Sequence, residues 1–103
     1  MIPIACMLPD TEQAARQRAL QRELGSAVDQ RVELEDGWAL RFPPGPEWIR
    51  RLAELIVFER ACCPFLTLEL EAEPGQGPVW LRLRGPEGTK AFLRRSFDWC
   101  DPF

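Results

Sequence analysis

Hydrophobic residues recur along this chain with two periods. Between positions 46 and 63 they fall at helical spacing: Trp48, Ile49, Leu52, Leu55 and Ile56 form one stripe. Between 28 and 42, and again between 65 and 84, they alternate with polar residues, as in strands with one buried face. Val32 and Leu34 lead to Trp38, Leu40 and Phe42, with Asp36-Gly37 at the turn. Leu66, Leu68, Leu70 and Ala72 lead to Val79, Leu81 and Leu83, with Pro74-Gly75-Gln76-Gly77 at the turn.

The alternation also predicts register. In the first hairpin a three-residue loop, Glu35-Asp36-Gly37, pairs Leu34 with Trp38 and Val32 with Leu40, and puts Gly37 in the left-handed position. In the second, pairing Leu70 with Leu81 sets Glu69 opposite Arg82, a favourable charge pair on the outer face.

The rest of the chain fits around these elements. Residues 2–8 read as a short buried strand with Cys6 near its end. Pro9-Asp10 breaks it, and Asp10 with Gln13 forms a capping box for a helix running to Leu24, stopped by Gly25. That helix carries Arg16, Arg18 and Arg22 and reads as a peripheral amphipathic helix with a solvated basic face. Pro46 suits the first turn of the central helix. Gly85-Pro86-Glu87 starts a last helix to about Trp99, with Phe92 and Trp99 on its apolar side. The unit of hairpin, Gly-Pro-Glu and helix occurs twice, which suggests a duplication.

The resulting order, βαββαββα, predicts one α+β domain over residues 1–103: a two-layer sandwich with a ferredoxin-like core, an added hairpin strand and a C-terminal helix. A five-stranded, mostly antiparallel sheet then has its helices mainly on one face. In a ferredoxin-like core the strands at 2–8 and 65–73 are neighbours, which brings Cys6 beside Cys62 and Cys63.

Composition narrows the function. The chain has 103 residues, 46% hydrophobic, with a net charge of −3 and no basic block, so nucleic acid is not an expected partner. There is no charged leader and no long apolar run, so neither a signal peptide nor a membrane partner is expected, and the default compartment is the cytoplasm. Exposed sheet edges and Trp80 on an outer face are compatible with a homodimer.

Histidine is absent. That removes the commonest general base and metal ligand, and any Ser-His or Cys-His catalytic pair. Chemistry must then come from thiols, carboxylates, Arg or Lys. The four cysteines, Cys6, Cys62, Cys63 and Cys100, form no CxxC and no zinc-finger spacing, and in a reducing compartment they are expected as thiols. Cys100, near the chain end, reads as structural or exposed.

The candidate site is Glu59-Arg60-Ala61-Cys62-Cys63-Pro64-Phe65. On a helix turning roughly 100° per residue, Glu59 and Cys63 each lie about 20° from Leu52, the stripe's centre. A carboxylate facing inward is costly without a partner, and an arginine of the first helix is one candidate. A helix C-terminus and a nearby carboxylate both disfavour a thiolate, which argues against a peroxidase-like or protease-like cysteine.

A soft ion deprotonates the thiol itself. Cys6, Cys62 and Cys63 are therefore candidate ligands for a soft metal ion or organometal (Hg-, As- or Cu-type, or Zn) or a small thiophilic compound. Glu59 is the candidate proton acceptor. No resident cofactor is implied. Two alternatives stand beside this: a non-enzymatic interaction module with buried structural cysteines, and a thiol redox protein.

The motif Glu59-Arg60-Ala61-Cys62-Cys63-Pro64-Phe65, followed by a hairpin and Gly85-Pro86-Glu87-Gly88-Thr89-Lys90-Ala91-Phe92, resembles a small bacterial family carrying E-R-x-C-C-P-F and G-P-x-G-x-K-x-F. The likeness extends over most of the chain, including Ile4-Ala5-Cys6. It implies an association with heavy-metal, particularly mercury, resistance gene clusters, and it names no activity. The expected topology also resembles heavy-metal-associated ferredoxin-like domains. The chain lacks their M-x-C-x-x-C loop, so a copper-chaperone role does not carry over.

Overall fold

The computed structural model describes Ile4, residues 11–97 and Trp99. The expected strand at 2–8, with Cys6, lies outside the described residues apart from Ile4, and so does Cys100. The described elements are α1 (Thr11–Gly25), β1 (Gln30–Glu33), β2 (Gly37–Phe42), α2 (Pro46–Cys62), β3 (Thr67–Ala72), β4 (Val79–Arg84) and α3 (Thr89–Ser96). The fold is α+β, with three helices and a four-stranded antiparallel sheet among the described residues.

The strand order is β1-β2-β4-β3. In a ferredoxin-like sheet the strand expected at 2–8 would lie between β2 and β3; β4 lies there instead, bonded to both. The expected ferredoxin-like order is therefore not the order of this sheet. Each hairpin puts its second strand at the centre and its first at an edge, and each passes directly into a helix. This symmetric pairing of β2 with β4 is what two consecutive hairpin–helix units can build with short connections.

The second hairpin has the register expected of it, with Leu70 opposite Leu81 and Glu69 opposite Arg82. Its ion pairs run diagonally, Arg82 to Glu71 at 2.7 Å and Arg84 to Glu69 at 2.5 Å.

The first hairpin does not have the expected register. Glu33, not Leu34, stands opposite Trp38, and Arg31, not Val32, opposite Leu40. The one-residue shift turns Val32 to the outer face and Arg31 and Glu33 to the helical side. Both find partners there: the Arg31 Nε donates to the Trp99 carbonyl, and Lys90 pairs with Glu33. On an edge strand these polar contacts outweigh the hydrophobic alternation. Gly37 also differs from expectation: it does not take a left-handed conformation but lies so close to β4 that a Cβ would sit 1.7 Å from the Leu83 carbonyl oxygen.

Trp38, Leu40, Phe42, Leu81 and Leu83 meet Leu20, Leu24, Leu52, Leu55 and Leu93 in the main core. α1 and α2 lie side by side, joined at the surface by Arg16–Glu54 at 2.9 Å and Arg51–Glu23 at 3.4 Å. α2 has Pro46 in its first turn, as expected, and Gly45 at its N-cap. α3 is shorter than expected. It begins at Thr89 because Gly88 before it is left-handed (φ 96°), and it ends at Ser96. No helix among the described residues is long and apolar enough to cross a membrane.

Candidate functional site

The final turns of α2 carry Glu59 and Cys62 inward, and Cys63 caps the helix with its N–H on the Glu59 carbonyl at 2.6 Å. Exposure is 0% at Glu59, 4% at Cys62 and 2% at Cys63. Arg60 points outward. The helical spacing thus placed Glu59 and Cys63 correctly, and it placed Cys62 less buried than it is. The two cysteines and Phe65 form a second, smaller hydrophobic cluster, packed by Ile4, Leu66 and Phe92. The Phe65 and Phe92 rings meet edge to face at 5.2 Å.

Glu59 has no cationic partner among the described residues. Its Oε2 accepts from the side-chain amides of Gln17 at 2.6 Å and Gln21 at 2.9 Å, both on α1. No arginine of α1 pairs with it among the described residues, and Arg16 pairs with Glu54. Among the described residues Oε1 accepts no hydrogen bond. Burial raises the pKa of the carboxyl above the ordinary glutamate range, and the amides of Gln17 and Gln21 and the nearby Cys63 thiol oppose the rise only in part.

Gln17 and Gln21 are the functional residues that sequence reasoning missed. Their signal is visible afterwards: Gln17 lies three and seven residues before the buried Leu20 and Leu24, on one helical face.

Cys63 is a free thiol. Its pKa is pushed up to about 12, first by burial and then by the charge of the nearby Glu59. The Cys63 Sγ lies 3.6 Å from the Cys62 Sγ. Cys62 is disulfide-bonded, with its partner outside the described residues. This corrects the expectation of four free thiols. It also means that only reduced protein presents Cys62 as a ligand.

The structure therefore brings together three of the four expected site residues, Glu59, Cys62 and Cys63; Cys6 lies outside the described residues. Ile4, two positions before Cys6, packs on the cysteine cluster. Among the described residues no group of three or more Cys, Asp or Glu side chains is arranged to hold a metal ion. Chemically, burial makes both members of the Glu59 and Cys63 pair hold a proton more tightly than they would in water.

No family model, no curated protein and no solved structure matches this chain.

Proposed function

We propose that the chain is a thiol protein whose reduced form captures a soft metal ion or organometal at Cys62 and Cys63. The single observation that carries this is the fully buried carboxyl of Glu59, held by neutral amides and placed against the buried thiol of Cys63. A thiol at about 12 supplies almost no thiolate for exchange with disulfides at neutral pH. A thiophilic ion needs none in advance, because it displaces the proton as the metal–sulfur bond forms. Glu59, in its carboxylate form, is the acceptor for the Cys63 proton, and its raised pKa favours taking that proton up. Cys6 is proposed as a third thiolate of the ligand set. Hg(II), As(III) and Cu(I) match such a donor set, and Zn(II) matches it less well. Resistance or detoxification is the role such capture would serve.

The disulfide at Cys62 adds a condition. Two-electron reduction by a low-molecular-weight thiol must free Cys62 before both sulfurs can bind. Titration of Hg(II) into reduced and into disulfide-bonded protein tests the reading. One equivalent bound tightly by the reduced form alone supports it, and equal weak binding by both overturns it.

A second reading has its own observation. Cys62 and Cys63 pack with Phe65, Leu66 and Phe92 as small apolar residues do, and the disulfide is then a staple in an interaction module. Under that reading reduction lowers the melting temperature by several degrees and no metal restores it.

A further inference from the structure

Away from the thiols, a cleft of roughly 420 Å³ opens between the C-terminal half of α1, β1 and the end of α3. Arg18, Arg22 and Arg31 line it, with Gln21, Ser96 and Trp99. No described carboxylate lines it. Elsewhere Arg16, Arg41, Arg51, Arg82, Arg84 and Lys90 each lie in an ion pair. The three arginines of the cleft form no salt bridge among the described residues.

The arrangement is costly without a counter-charge. Arg18 and Arg22 are four residues apart on one helical face, where like charges destabilise the helix. Arg31 adds a third cation from another element. Its position follows from the register shift of β1, and its Nε is tied to the Trp99 carbonyl, which fixes the guanidinium at the cleft. Three arginines lining one concavity are matched by an oxyanion of more than one charge, which guanidinium groups bind through paired N–H donors.

We propose that this cleft binds a small phosphorylated molecule, its phosphate held by Arg18, Arg22 and Arg31 and its organic body occupying the remaining space beside Trp99. The volume is in the range of small-ligand sites and exceeds what a phosphate alone needs. The site is independent of the thiol chemistry, although Gln21 lines the cleft and also donates to Glu59.

The test is NMR titration of nitrogen-labelled protein with inorganic phosphate and with phenyl phosphate, following the Trp99 indole N–H. Saturable shifts are expected from both, with phenyl phosphate binding at least tenfold more tightly. A double variant, Arg18→Gln with Arg22→Gln, should weaken binding at least tenfold while its amide spectrum stays folded, and Arg31→Gln should do the same. Absence of saturable shifts, or equal binding by the variants, would overturn the proposal. None of these readouts involves a cysteine, so the outcome is separate from that of the metal titration.

Discussion

Gln17 donates its side-chain amide to the Glu59 carboxyl across 2.6 Å, linking the middle of α1 to the last turns of α2. A buried carboxyl is here solvated by a neutral side chain rather than neutralised by a cation. That choice raises the proton affinity of Glu59, so its carboxylate form is suited to take up a proton that the adjacent thiol gives up. Packing of α1 on α2 and the protonation of the site are therefore one feature.

Removing the amide should be costly. Gln17→Leu keeps the apolar stem and takes away the donor, leaving Oε2 with Gln21 alone. The expected loss is about 1–3 kcal/mol, the cost of an unsatisfied buried polar group. Urea denaturation at pH 7 measures it. A loss below about 0.5 kcal/mol would mean that water or another donor replaces Gln17 freely.

Glu59 should also make stability fall as pH rises. Its folded-state pKa is raised, so its contribution is full below the unfolded carboxylate range and is lost as pH climbs through the folded value. Exposed Glu33 and Glu54, with lowered pKa values, act in the opposite direction. The difference between wild type and Glu59→Gln isolates the buried group. Glu59→Gln, which preserves an acceptor for both amides, should gain on wild type as pH rises from the unfolded carboxylate range and level off above the folded value. Parallel stability–pH curves for the two proteins would contradict the assignment.

Much of this was legible in the sequence, and each failure has a physical cause. The α2 stripe placed Glu59 and Cys63 inward because one helix face met one core. The β3–β4 register followed from alternation for the same reason. Alternation failed at β1, an edge strand where Arg31 and Glu33 find polar partners on the helical side. The central place of β4 was hidden because strand order depends on which hairpins meet, and periodicity within a strand carries no information on that. The amides on Glu59 were missed because a charge suggests a countercharge, and a glutamine at position 17 reads as surface.

The close approach of Gly37 to β4 gives a prediction about the fold alone. A Cβ there would meet the Leu83 carbonyl oxygen, a backbone atom with no room to withdraw. Gly37→Ala should cost roughly 3 kcal/mol, at the upper end for overpacking. A thermal melt within two degrees of wild type would show that the two central strands can separate without penalty.

Cys63 should be nearly inert in the folded protein. With its pKa at about 12, only about one thiol in ten thousand is ionised at pH 8. Alkylation by iodoacetamide should be at least a hundredfold slower in buffer than in urea. Phe65→Ala, which removes a ring covering the cysteines, should recover part of that factor. Fast native alkylation at Cys63 would contradict the burial on which the proton-coupled reading depends.

The most direct test of that reading is calorimetry of Hg(II) binding to fully reduced protein in two buffers of different ionisation enthalpy. Wild type and Cys100→Ser should each bind one equivalent tightly, and Cys63→Ser should lose at least a hundredfold in affinity. Cys6→Ser should weaken binding, and Glu59→Gln should keep the stoichiometry while changing the number of protons released and its dependence on pH. Binding that Cys63→Ser leaves intact, or a proton count that Glu59→Gln leaves unchanged at every pH, would contradict the account.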